Sequence, residues 1–232
     1  MFRHDRLVIL DADGTTVDAF KAIERTFAHH GMDIGPLARF QKRRNIFKYL
    51  GGLKEVPQNL RRQIGSSIGS AKRSKIIATL TEIYREEAVM FEGTEALIRR
   101  LVDAPDVRVG IVTRNITTEP IATLTRLFER HGLEPKLLDF LVHLPLRSDK
   151  LEVFRQTRKQ FEVNPACAYA CGDEARDFQA AIGAGMHPFI VAYGFEDYDR
   201  LHIKHGVPRE VIALTPDELS CRLLHALGLD RT

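Results

Sequence analysis

Cysteines are few in this sequence, and long apolar runs are missing. Its three cysteines are too few, and odd in number, for a disulfide framework, so a reducing, cytoplasmic compartment is expected. No apolar run approaches the roughly 18 residues that a membrane-spanning helix needs, which predicts no membrane partner. Residues 1–6 lead directly into a short strand-like run without the long apolar stretch of a signal peptide, so none is expected.

Net charge is also small, at +3 for 232 residues, and does not by itself predict a nucleic-acid partner. The charge is unevenly distributed, because residues 15–92 contain 14 Lys and Arg against 8 Asp and Glu, whereas the rest contains 20 against 23. This basic segment has helical patterns and no convincing strand-like run. The change in composition indicates an inserted subdomain, and the length fits one α/β domain with an insertion.

Apolar runs alternate with helical patterns in the remainder of the chain. Residues 6–12 form a short apolar run that ends in acidic residues, which is typical of a buried parallel strand. Further strand-like runs occupy residues 107–113, 137–144, 166–171 and 188–192. This alternation predicts a parallel αβα sandwich, a Rossmann-like α/β fold. We expect residues 1–14 plus 93–232 to form the α/β core and residues 15–92 to form a helical cap.

Polar side chains cluster where four of the predicted strands end. Four carboxylates, one hydroxyl and one ammonium group are placed in this way: Asp11 and Asp13, Thr113, Lys150, and Asp173 and Asp177. Because ligands of open α/β sheets bind outside the carboxyl ends of the strands, we expect these groups to face one crevice. Close carboxylates repel one another unless a divalent cation sits among them, and Mg²⁺ takes oxygen ligands and suits phosphate substrates. The pattern therefore indicates metal-assisted phosphoryl chemistry.

These residues also form four motifs in a recognisable order: Asp11-x-Asp13-Gly14-Thr15, then Thr113, then Lys150, then Gly172-Asp173-x-x-x-Asp177. The set resembles the four motifs of the haloacid dehalogenase-like superfamily. The helical insert after the first motif resembles the helical-cap branch of that superfamily, which includes phosphoglycolate phosphatases. The resemblance implies a Mg²⁺-dependent phosphatase that hydrolyses a small phosphate monoester through an aspartyl-phosphate.

The resemblance also implies roles for the acidic residues. Asp11 would be the nucleophile, and Asp13 would protonate the leaving group and then deprotonate water. Mg²⁺ would be held by Asp11, the backbone carbonyl of Asp13, and Asp173. Asp177 would lie outside these ligands or reach the metal through water.

Thr113 and Lys150 are implied to bind the phosphoryl oxygens. Two positions depart from the family pattern. Arg114 follows Thr113 where Asn is often found, and it could add a phosphate contact or point to the surface. Leu151 follows Lys150 where Pro is often found, but the lysine carries the charge, so its role is retained.

Asp13 narrows the range of expected substrates. The branch of the superfamily that cleaves phosphonates has Ala at this position, and dehalogenation needs neither a metal nor this carboxylate. A small phosphorylated metabolite is therefore the expected partner. A sugar-phosphate mutase that uses the same aspartyl-phosphate is an alternative, which release of free phosphate would distinguish. A protein that binds nucleic-acid ends through the basic cap is a more distant alternative, against which the modest charge and few aromatic residues argue. No feature indicates an oligomeric state.

Three cations of the predicted cap, Arg43, Arg44 and Lys48, fall on one predicted helix. They form either a solvated face or a group that overhangs the active site and selects an anionic leaving group. In the last predicted cap helix, residues 75–90, helical spacing places Tyr84 on the inward face. Next to the fourth motif, Glu174 and Arg176 are expected to be solvated.

Overall fold

A computed structural model describes residues 5–43 and 70–230. Its strands, in chain order, are β1 (Arg6–Leu10), β2 (Val17–Asp18), β3 (Val89–Met90), β4 (Val107–Thr113), β5 (Phe140–His143), β6 (Ala168–Gly172), β7 (His187–Val191) and β8 (Ile212–Ala213). Six of them form one parallel sheet in the order β5-β4-β1-β6-β7-β8. The predicted α/β fold with a parallel sheet is confirmed.

Helices cover both faces of this sheet. They are α1 (Phe20–His29), α2 (Leu37–Arg43), α3 (Ser70–Glu87), α4 (Thr94–Asp103), α5 (Pro120–Arg130), α6 (Leu151–Gln160), α7 (Ala175–Gly183) and α8 (Pro216–Ala226). Alternate residues of β1 point to opposite faces, as the pleat requires. Val8 packs in one apolar cluster with residues of α4, α5 and α8, whereas Ile9 packs in a second with residues of α6 and α7. The central strand is therefore buried on both sides, which explains its continuous apolar sequence.

The segment between β1 and α4 departs from the sequence prediction in one respect. It was expected to contain no strand, but β2 and β3 pair antiparallel, with Val17 opposite Met90. Strands of two residues are too short to show the alternation by which a strand is recognised. Strand β2 precedes α1 and strand β3 follows α3, and those two helices pack against each other. The division into a core of residues 1–14 plus 93–232 and a cap of residues 15–92 stays a prediction.

Within residues 5–43 and 70–230, no helix combines the length and the apolar character that crossing a membrane requires.

Candidate active site

The structure brings the residues of the four motifs together at the carboxyl edge of the sheet. Asp11 directly follows β1, Thr113 ends β4, and Asp173 directly follows β6. Because β1 lies between β4 and β6, these three strands deliver their terminal side chains side by side. All three residues line one cavity of about 480 Å³.

Three carboxylates form a tight group in the floor of this site. Carboxylate oxygens of Asp11, Asp173 and Asp177 lie within 4.8 Å of one another, and all three residues are buried. Burial raises the pKa of Asp11, although the nearby Lys150 ammonium opposes the shift. Such a group needs positive charge close by, and its oxygen ligands are those that Mg²⁺ prefers. The carboxylate of Asp13 lies outside this group.

Lys150 supplies positive charge from the position directly before α6. Its Nζ atom lies 2.5 Å from Asp11 Oδ2 and 3.1 Å from Asp177 Oδ1, and the residue is only 2% exposed. A buried ammonium group is costly unless carboxylates surround it. The ion pairs therefore hold Lys150 against the group that is predicted to attack phosphorus, and its contact with a phosphoryl oxygen stays a prediction.

Arg114 does not point to the surface, so that alternative is wrong. The residue is buried, and its Nη2 atom lies 2.6 Å from Glu174 Oε2 and 3.0 Å from Asp177 Oδ1. The expectation that Glu174 is solvated is also wrong, because the residue is buried. It supplies the carboxylate partner that a buried guanidinium requires. Glu174 additionally pairs with Arg176, which is exposed as expected. Arg114 thus ties the end of β4 to the start of α7.

Asp13 is held by two donors from different parts of the chain. Asn115 donates its side-chain amide to Asp13 Oδ2 at 2.9 Å, and the Tyr84 hydroxyl donates to Oδ1 at 2.5 Å. Burial raises the pKa of Asp13 to about 7, which these hydrogen bonds partly oppose. Burial also raises the pKa of Tyr84 well above its usual value, so its hydroxyl stays protonated and can donate. A carboxyl group that titrates near neutral pH is suited to general acid–base work.

Neither Tyr84 nor Asn115 was assigned a functional role from the sequence. Asn115 stands two residues after Thr113 at a strand end, which was a usable signal. Its amide orientation follows from Thr117, whose backbone N–H and hydroxyl both donate to Asn115 Oδ1, at 2.9 and 2.5 Å. The amide nitrogen must therefore face Asp13. Tyr84 was predicted only to face inward, because helical spacing reports burial and not hydrogen-bond partners.

Two glycines allow the chain to pass close to Asp173. Gly14 adopts φ +83°, and a Cβ atom there would come within 2.2 Å of Asp173 Oδ2. At Gly194 a Cβ atom would lie 2.2 Å from the carbonyl oxygen of Gly14. The backbone N–H of Phe195 donates to Asp173 Oδ2 at 2.6 Å. The absence of side chains at both glycines thus lets backbone surround and orient this carboxylate.

The structure describes little of the three predicted cap cations. Arg43 ends helix α2, and its side chain is not described, while Arg44 and Lys48 lie outside the described residues. Gln41, also on α2, donates its side-chain amide to the carbonyl of Gly194 at 2.7 Å. The end of α2 therefore contacts a loop of the active site, while selection of an anionic leaving group stays a prediction.

Comparison with known proteins gives a consistent result. The sequence profile named haloacid dehalogenase-like hydrolase matches residues 8–191, and no curated protein sequence matches. Similar solved structures include a candidate phosphoglycolate phosphatase from Lactobacillus delbrueckii subsp. bulgaricus, with TM-score 0.62, 19% identity, and coverage of 96% of this chain and 99% of that one. A candidate β-phosphoglucomutase from Thermotoga maritima has a TM-score of 0.63 and 19% identity, with coverage of 95% of this chain and 99% of that one. A third structure is a haloacid dehalogenase family hydrolase from Deinococcus radiodurans with bound phosphate and sodium. It has a TM-score of 0.64 and 16% identity, with coverage of 97% of each chain.

Proposed function

Because this chain belongs to the haloacid dehalogenase-like hydrolase family, we propose that it hydrolyses a small phosphate monoester through an aspartyl-phosphate on Asp11, with Mg²⁺ as cofactor. The observation that carries the proposal is the buried contact between Lys150 and Asp11 beside two further carboxylates. Asp11 and Asp173 line the cavity, so a nucleophilic carboxylate and part of a metal-binding group face it, and the Lys150 cation lies in direct contact with Asp11. Those are the parts that phosphoryl transfer requires.

Asp11 and Asp173, whose carboxylates lie in one buried group, would hold Mg²⁺, and the family resemblance adds the backbone carbonyl of Asp13 as a ligand. Asp177 belongs to the same buried group of carboxylates. We therefore keep it as a residue that binds the metal through water or directly. Mg²⁺ would offset the repulsion between the carboxylates and an anionic substrate.

In the first chemical step, an oxygen of Asp11 attacks phosphorus while the bond from phosphorus to the leaving-group oxygen breaks. Lys150 and Thr113 stabilise the charge on the phosphoryl oxygens. Arg114 also lines the cavity, and its contribution to phosphoryl binding stays a prediction, since two buried carboxylates already engage its guanidinium group.

Asp13 gives its proton to the leaving-group oxygen in that step. In the second step Asp13 takes a proton from water, which attacks phosphorus and breaks the bond to Asp11. Its raised pKa, at about 7, leaves both protonation states accessible near neutral pH. Phosphate and the free alcohol are the products.

Asp13→Asn is expected to act according to the leaving group. For an alkyl phosphate, kcat/KM should fall about a hundred- to ten-thousandfold, because the alkoxide needs a proton. For p-nitrophenyl phosphate, kcat/KM should fall far less, because nitrophenolate leaves without protonation. We compare kcat/KM since it excludes hydrolysis of the aspartyl-phosphate, which both substrates share. Equal losses on the two substrates would argue against this role.

A screen of phosphorylated metabolites for release of inorganic phosphate tests the proposed function as a whole. We expect phosphate and the dephosphorylated alcohol in equal amounts. Conversion of a sugar phosphate into an isomer, with no free phosphate, would contradict hydrolysis and establish the mutase alternative.

A further inference from the structure

The loop between β4 and α5 has contacts on two sides. Toward the cavity, Asn115 contacts Asp13. Toward helix α3, the backbone N–H of Thr118 donates to the Thr81 hydroxyl at 2.9 Å, and Glu119 pairs with Arg85. One short loop therefore contacts both the acid–base carboxylate and the last helix of the predicted cap.

The C-terminal end of α3 is also fixed to the core. Arg130 on α5 donates to the carbonyls of Arg85 and Glu86 at 2.6 Å, and to that of Ala88. The carbonyls of Arg85 and Glu86 belong to the last turn of α3, where no N–H of the helix is available to them, and Ala88 directly follows the helix. The contacts hold the last turns of α3 at a defined distance from the end of β4.

Tyr84 reaches the active site from this docked helix. Its hydroxyl lies 2.5 Å from Asp13 Oδ1, and the residue is 2% exposed and lines the cavity. Asp13 Oδ2 is engaged by Asn115 on the opposite side. One oxygen of Asp13 is thus oriented by the core and the other by helix α3.

We propose that Tyr84 is a positioning residue for Asp13, so that proton transfer to the leaving group depends on the docked position of α3. This inference rests on the proposed function, because it requires Asp13 to exchange the proton. The carboxyl group can rotate about its bond to Cβ when only Asn115 holds it. With Tyr84 in place, both oxygens have fixed positions, and the proton is transferred from a defined direction.

Tyr84→Phe tests the proposal with the least structural change, since only the hydroxyl is lost. We expect kcat/KM for an alkyl phosphate to fall about ten- to a hundredfold, a smaller effect than removing the acid itself. For p-nitrophenyl phosphate we expect less than about a threefold change, because its leaving group needs no proton. A hydroxyl that only stabilises the fold would affect both substrates equally.

Tyr169→Phe is the matched control. It removes the hydroxyl of another tyrosine, which donates to the carbonyl of Ala226 and is not among the described residues that line the cavity. Any loss that it causes should be the same for the two substrates. Circular dichroism and thermal unfolding of both variants monitor the fold.

The double variant Asp13→Asn with Tyr84→Phe provides a second measurement. If Tyr84 acts through Asp13, its removal should cost nothing further on the alkyl phosphate once Asp13 is replaced. Independent, multiplying losses would overturn the proposal, and so would equal or absent losses on the two substrates in Tyr84→Phe. If the wild type released no phosphate from any substrate, the proposed function would fail first and this inference with it.

Discussion

Asp11→Asn is expected to reduce phosphate release at least about a thousandfold, which corresponds to on the order of 4 kcal/mol of activation free energy. Asparagine keeps the shape of the side chain but lacks the carboxylate that attacks phosphorus. The variant should fold, because Lys150 retains a carboxylate partner in Asp177 at 3.1 Å. Initial rates of phosphate release from the best substrate of the metabolite screen provide the measurement.

Asp103→Asn is the matched control for this variant. Asp103 is exposed at the end of α4 and does not line the cavity among the described residues. Its replacement makes the same chemical change away from the site and should leave the rate near that of the wild type. A folded Asp11→Asn protein with a near-normal rate would show that another group attacks phosphorus.

Removal of Mg²⁺ is expected to abolish turnover, and its return should restore the activity. The cause lies in the buried carboxylates of Asp11, Asp173 and Asp177, which would repel an anionic phosphate without a divalent cation. Rates are measured with excess chelator, and chelator already saturated with Mg²⁺ serves as the control. Full activity in excess chelator would contradict the metal assignment.

Thermal unfolding gives a second readout that does not depend on activity. A cation that binds only the folded protein raises its unfolding temperature. Mg²⁺ should therefore stabilise the wild type, and the shift should be lost or much reduced in Asp173→Asn. An unchanged shift in that variant would place the cation elsewhere.

The residues at the base of the site could be predicted from the sequence, because the strand patterns and the order of the motifs indicate where they lie. Asp11, Thr113 and Asp173 each stand at the end of a buried apolar run, and parallel strands deliver such residues to one edge. Lys150 required the family resemblance as well, because it follows a loop. The structure brings all four to one place.

The contacts around Asp13 could not be predicted in the same way. Tyr84 lies on an amphipathic helix, where spacing predicts which side is buried but not which distant group a buried hydroxyl meets. Glu174 is a charged residue of a kind usually found at the surface, and its contact with the buried guanidinium of Arg114 accounts for its burial. The ribbon of β2 and β3 is too short for any periodic pattern. These features depend on tertiary contacts between segments far apart in the chain.

The most direct test of the account is a rapid-quench experiment on Asp13→Asn with p-nitrophenyl phosphate. This leaving group departs without a proton, so Asp11 is phosphorylated, but the second step lacks its general base. We predict a burst of about one equivalent of nitrophenolate per active site, followed by slow turnover. Mass spectrometry of the quenched protein should then find one phosphoryl group on the peptide that contains Asp11. Linear release without a burst, and no phosphoryl adduct on that peptide while the wild type is active, would contradict an aspartyl-phosphate mechanism.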